Sequence, residues 1–194
     1  MVMAGDTIRV RQWTRLEYDR LIETGFFREG DNVELIGGQL MVAEAQGSRH
    51  AATVSLVAEA LRLAFGGGWY VMVQLPVALD DESQPEPDVA IVRGSARDHG
   101  DAHPSRPVLV VEVAESSAEL DRRHKGSLYA RSGVPEYWIV DIVEHVLEVH
   151  RQPTPAPHAV YGWRYVDVQR FAAGASVSSM AAPTVPVAVA DLLL

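Results

Sequence analysis

The segment Val108-Leu109-Val110-Val111-Glu112-Val113 limits the fold more than any other stretch of this chain. It is dense in β-branched residues and lacks the polar alternation of a half-exposed strand, so it reads as a strand covered on both faces. A helical stretch over 120–131 follows, and then the apolar run Tyr137-Trp138-Ile139-Val140. Strand, helix and strand in this order form a βαβ-like crossover, the mark of an α/β domain.

The remaining elements are arranged around it. Thr14 with Glu17 three residues later forms a capping-box pattern, and Leu16, Leu21 and Ile22 offer a buried stripe up to a stop at Gly25. A strand pair over 33–43 turns at Gly37-Gly38, which suits the positive φ of a tight hairpin. A long helix spans 48–65 and stops at Gly66-Gly67-Gly68. Short β runs are expected over 69–74 and 76–79, a further strand over 88–92, an edge strand over 145–150, a Pro-rich surface loop over 153–157 and another strand over 163–171. The apolar tail, 185–194, must pack on the body, form a short helix or meet a partner. We expect one domain over 1–194, with a core at about 13–150 and a β-rich C-terminal extension at about 160–194, in keeping with a chain of 194 residues.

Composition narrows the function. The chain has no cysteine, which excludes disulfides, zinc thiolates, iron–sulfur clusters and cysteine nucleophiles. No apolar run is long enough to cross a bilayer, and the first thirteen residues lack the basic-then-apolar pattern of a secretory signal, so the cytoplasm is the expected location. Lysine and arginine number 17 against 26 acidic residues, a formal charge of −9, which argues against nucleic-acid affinity spread over the whole surface. A nucleic-acid-binding protein of this charge would need a local basic face, which the sequence does not locate. The seven histidines are scattered without zinc-site spacing, and Gly66-Gly67-Gly68 lacks the lysine and following helix of a phosphate-binding loop. The strand aromatics Trp69, Tyr70, Tyr137, Trp138, Trp163 and Tyr165 read as core or interface residues rather than base-stacking platforms. Tyr137 and Trp138 point to opposite sides of one strand, so at least one is expected to meet a helix or a second subunit.

Two acids stand out. Asp88 opens an apolar strand directly after Pro87, and Glu112 lies inside the run described above. A buried carboxylate is costly unless a proton, a cation or dense hydrogen bonding compensates it. Two of them at neighbouring strand ends suit a shared divalent ion, and oxygen donors favour Mg²⁺ or Mn²⁺ over zinc. The plain alternative is that each acid faces a loop or pairs with an arginine. Lys125 shares a helix face with Asp121 and Tyr129 at four-residue spacing. It either reaches the strand ends with its long stem or makes an ordinary Asp121–Lys125 pair.

Taken in order, these residues resemble a known family. Glu34-Leu35-Ile36-Gly37-Gly38, Ser48-Arg49-His50 opening a helix, Pro87-Asp88-Val89, Val110-Val111-Glu112-Val113, the Asp121 to Ala130 stretch and Gly133-Val134-Pro135-Glu136-Tyr137-Trp138-Ile139-Val140-Asp141 are similar to the Uma-type bacterial restriction endonuclease family, within the PD-(D/E)XK nuclease superfamily. The match covers about 13–150. The Ser48-Arg49-His50 segment is shorter than the family's S-x-x-H, and Ala114 stands where the superfamily commonly has lysine. The resemblance implies a mixed β-sheet flanked by helices, with additional β-hairpins. It also implies that Lys125 supplies the lysine function, that Glu34 is an acid near the metal, and that His50, Asp121 and Tyr129 are supporting groups.

The expected activity is Mg²⁺- or Mn²⁺-dependent hydrolysis of a DNA phosphodiester. Asp88 and Glu112 would hold the ion, with Glu34 through water and the Val113 carbonyl as further oxygens, while Lys125 stabilises charge on the phosphoryl oxygens. The alternative is a catalytically degenerate nuclease-like scaffold kept for binding or oligomerisation, on the strength of the −9 charge, Ala114 and the apolar tail. A glycosidase using the acids as a pair would need a separation of about 5 to 9 Å and leaves Lys125 without a part. A homodimer is expected.

Overall fold

The computed structural model describes residues 10–28, 30–42 and 46–194. In chain order it contains α1 (Arg15–Glu23), β1 (Val33–Ile36), β2 (Gln39–Val42), α2 (Ser48–Phe65), β3 (Trp69–Val73), β4 (Val89–Arg93), β5 (Leu109–Ala114), α3 (Ala118–Leu120), α4 (Gly126–Arg131), β6 (Glu136–Asp141), β7 (Val146–Pro155), β8 (Trp163–Ala172), β9 (Ser176–Val177) and β10 (Val187–Ala188). The hairpin's expected end at Ala43 and the N-terminal residues 1–9 lie outside the described residues.

The predicted crossover is the centre of the molecule. β5 runs parallel to β6, and the sheet order is β3-β4-β5-β6-β7-β8 with every other pair antiparallel. This mixed sheet is flanked by helices, with the β1–β2 hairpin beside it. Alternation along the strands sorts side chains to two faces. Val89, Ile91, Val111, Val113, Trp138 and Val140 pack with Val57 and Leu61 of α2. Ala90, Val92, Val110, Tyr137 and Ile139 pack with Tyr129 and Ala130 of α4. Tyr137 and Trp138 are thus both buried within one chain, on opposite faces. Asp88 and Glu112 have the parity of the α4 face, where an acid meets a helix rather than water.

Local chemistry sets the element ends. Thr14 and Glu17 complete the capping box at α1, and Gly25 follows its C-cap at φ 66°. Gly37 and Gly38 take φ 55° and 77°, as a hairpin with right-handed twist requires. The tail does not wait for a partner. β10 pairs with β9, and Val187, Val189 and Leu192 join the α2-side core.

Four expectations need correction. In α1 the buried residue is Tyr18, while Leu16 and Ile22 are 62% and 48% exposed. That helix docks on loop and hairpin backbone, through Arg15 N–H to the Asp81 carbonyl and Tyr18 O–H to the Val33 carbonyl, so it has no broad apolar seat. Residues 76–79 are extended without a strand ladder, because their amides go to loop carbonyls such as those of Pro85 and Pro104. The 145–150 run is no edge. It opens β7, which lies between β6 and β8. The Pro-rich stretch is not wholly a loop either, since Pro153 and Pro155 extend β7 opposite Tyr165 and Trp163. The β6 ladder ends at Arg151, so beyond it β7 has an open side that needs no proline N–H.

Candidate active site

The β4–β5 register pairs Val89 with Val111 and Ala90 with Val110, so one further step would set Asp88 opposite Glu112. The ladder stops before that step. The Asp88 side chain takes over where backbone pairing ends, and its Oδ2 accepts the Val113 N–H at 2.8 Å. Two acids therefore stand across a gap between parting strands, 4% and 3% exposed.

Each has its own partners. Asp88 Oδ2 lies 3.2 Å from Nε2 of His50, in the first turn of α2, and Oδ1 accepts from Gln74 at 3.3 Å and Gln46 at 3.4 Å. Glu112 Oε1 accepts from Lys125 Nζ at 2.9 Å and from the Tyr129 hydroxyl at 2.7 Å. Among the described residues neither acid pairs with an arginine. Lys125 crosses to the strand and makes no ion pair with Asp121, whose Oδ2 instead accepts from Ser117 Oγ at 2.5 Å. The helical segment itself explains how. Between α3 and α4 the residues Asp121–Lys125 form a π-helical turn, a wide turn that often marks functional sites. It brings Lys125 and Tyr129 to one oxygen atom on a neighbouring strand.

Glu34, on β1, reaches the same cavity and accepts the Glu86 N–H at 3.3 Å. The cavity is about 300 Å³ and is bordered by Glu34, Glu86, Asp88, Glu112, Glu115 and Asp121, against Lys125 with His50 and His124. Acid exceeds base, and proton affinities follow. Burial pushes Glu112 up to about 8, although Lys125 works against it. Burial also raises Asp121. Asp88 feels the same burial, but the His50 and Val113 hydrogen bonds hold it below the usual carboxylate range. For His50 burial lowers the pKa and Asp88 more than offsets it, leaving it raised. Burial disfavours the charged form of Lys125, yet Glu112, Glu34 and Asp121 outweigh it and keep it an ammonium.

All the expected residues, Glu34, His50, Asp88, Glu112, Val113, Asp121 and Lys125, border this cavity, and Tyr129 touches it through Glu112. Val113 enters through its N–H to Asp88. Sequence reasoning missed Gln46 and Gln74. The second was within reach, since the Val73–Val89 pairing places Gln74 next to Asp88. Missed as well were the bonds that tie Arg122, on the same helical turn, to Asp141 and Glu148.

The chemistry of the donors fits a hard divalent cation. They are oxygens in excess of positive charge, and burial raises the proton affinity of Glu112, which a cation would relieve. Among the described residues no group of three or more His, Cys, Asp or Glu is arranged to hold a metal. Mg²⁺ commonly takes one or two protein carboxylates and completes its shell with water and phosphate, which is what Asp88 and Glu112 offer. No helix among the described residues is long and apolar enough to cross a membrane.

Known proteins give the same fold. A crystal structure from Anabaena variabilis ATCC 29413, described as a putative nuclease belonging to DUF820, matches with a TM-score of 0.66 at 16% identity, covering 89% of this chain and 96% of that one. At that identity the likeness shows the fold alone. No curated protein matches the chain. The family model described as "Uma2: Putative restriction endonuclease" matches residues 15–188, nearly the whole length. The chain therefore belongs to the Uma2 family, within the PD-(D/E)XK nuclease superfamily.

Proposed function

We propose that this nuclease-like protein hydrolyses a DNA phosphodiester bond with a divalent ion, Mg²⁺ or Mn²⁺, held by Asp88 and Glu112. The observation that carries the reading is the convergence of Lys125 and Tyr129 on Glu112 Oε1 beside Asp88, in a cavity where acids outnumber bases. Such a cavity repels phosphate and attracts a cation, so a phosphodiester can approach only once the charge has been reversed. When bound, the ion polarises the phosphate and acidifies a water molecule. The protein's own groups do the rest. Lys125 stays protonated and places positive charge beside the phosphoryl oxygens. Tyr129 fixes the Glu112 carboxylate, while His50 and the Val113 N–H fix that of Asp88.

A second reading is a scaffold that has kept the nuclease fold for binding or oligomerisation and no longer cuts. It asks less of the structure as it stands. Lys125 is already engaged by Glu112, Ala114 replaces the usual strand lysine, and the described residues contain no ready group of three ligands. Apolar side chains left exposed at Leu16, Ile22 and Phe26 support the homodimer that either reading allows.

Calorimetric titration with Mn²⁺, run beside a cleavage assay on linear, supercoiled and branched DNA, separates the two. Cleavage requires saturable Mn²⁺ binding that Asp88→Asn removes. Absence of both in the parent protein leaves the degenerate scaffold.

A further inference from the structure

The helical segment that carries Lys125 has a second cavity on its other side. Asp121, His124 and Lys125 face the carboxylate pocket, whereas Arg122, Arg123, Gly126 and Ser127 border a separate space of about 260 Å³ against β7, β8 and their connection. His150, His158 and Arg164 complete its basic lining, and no carboxylate borders it among the described residues. In a chain of net charge −9 this is a local reversal of sign.

The arginines are not equally occupied. Arg122 is committed below the cavity, 2.8 Å from Asp141 and 3.0 Å from Glu148. Arg123 has an exposed 3.6 Å contact to Glu119, one turn back along the helix. Arg164 is exposed and has no carboxylate within 4.0 Å among the described residues. Two guanidinium groups that line the cavity thus remain able to take an anion, over a floor where Arg122 already pairs with Glu148.

The geometry points to a phosphate site. We infer that Arg123 and Arg164 bind a backbone phosphate of the DNA strand whose neighbouring phosphodiester enters the carboxylate pocket. This rests on the reading that the carboxylate pocket receives DNA. A helix with side chains is about 10 to 12 Å across, so a strand lying over it reaches both cavities. Guanidinium groups suit phosphate oxygens because their planar fork donates two parallel hydrogen bonds. The site also accounts for how so acidic a protein holds nucleic acid, with attraction confined to one side of one helix.

The test is fluorescence anisotropy of labelled, cleavage-resistant phosphorothioate oligodeoxynucleotides, single-stranded and duplex, with the full chain at a fixed Mn²⁺ concentration, over a series of salt concentrations. Arg123→Ala and Arg164→Ala are expected to weaken binding alike on every sequence and each to lower the slope of log affinity against log salt by about one. Both side chains are exposed, and circular dichroism checks that the variants fold. Affinity and slope unchanged in the double variant, or no DNA binding by the parent at low salt, overturns the inference. Inorganic phosphate that binds through these arginines while DNA binding ignores them assigns the site to a free anion and overturns the DNA assignment. If the parent never cleaves with Mn²⁺ yet the arginine effect persists, the hydrolysis reading fails and the phosphate site stands. Cleavage together with arginine-independent DNA binding removes the phosphate site alone.

Discussion

Glu112 and Glu148 are both buried on the α4 side of the sheet, 3% and 4% exposed, and they titrate in opposite directions. Glu148 is drawn down to about 2, first by His150 and then by Arg122. Arg170 adds a third contact at 3.2 Å. Glu112 is pushed up to about 8, since burial outweighs Lys125 and other acids stand close by. Both are shielded from water, but Glu112 lies deeper and has fewer positive partners, so burial and the supply of positive charge act in the same direction. Where cations suffice, a buried glutamate ties strands and helix together. Where they fall short, it keeps a proton and an appetite for something else, and that shortfall marks the site.

The contrast can be broken by mutation. The largest effect is expected from Arg122→Ala, which takes the guanidinium away from Asp141 and leaves Glu148 with only His150 and Arg170 among the described residues. We expect a loss of about 3 kcal/mol, at the low end for a broken buried pair because Arg122 is partly exposed, read from urea unfolding. A loss below about 1 kcal/mol would mean that Glu148 is not held in place by charge.

Next comes the pH dependence of ion binding. Glu112 keeps its proton up to about 8, so below that pH a cation must displace it. Mn²⁺ affinity should rise about tenfold per pH unit below about 8 and level off above it, with proton uptake by the buffer visible in calorimetry. A flat profile from pH 6 to 9 would assign the proton elsewhere.

Smaller effects sharpen the same comparison. Tyr129→Phe removes one of two donors to Glu112 Oε1 and should cost about 1 kcal/mol in stability. Its mark is a Glu112 that competes less well for Mn²⁺. Glu112→Gln should move stability least, by under about 1 kcal/mol, because Lys125 keeps Glu34 and Asp121 as neighbouring charges while one repulsive acid disappears. A loss as large as that of Arg122→Ala would make Glu112 a structural residue and end the contrast.

Much of this could be read from the chain because it is local. The crossover, the Thr14–Glu17 cap and the Gly37-Gly38 turn depend on residues a few positions apart, and strand parity alone sent Tyr137 and Trp138 to opposite faces. The pairing of Asp88 and Glu112 followed from two acids in apolar runs. The reach of Lys125 did not, because four-residue spacing assumes a regular helix and points as readily to Asp121. The buried role of Glu148 was hidden for a related reason. Its alternation with Leu147 and Val149 looks like that of an edge strand, and Arg122 from the helix and Arg170 from β8, which the sequence does not bring near, join His150 in offsetting its burial.

The π-helical turn at Asp121–Lys125 gives the site an unusual kind of fragility. A π turn holds one residue more than the α turn it interrupts, and each residue of an α-helix advances the face by about 100°. Deleting a single amino acid there, Arg123 for instance, would regularise the helix and swing either Lys125 or the residues before it off the strand ends, with Asp88, Glu112, Lys125 and Tyr129 all still present in the chain. In descent, the site can therefore be silenced by a change of length as well as by a change of residue. Relatives that have lost the function this way would still look intact when their motifs are read one at a time.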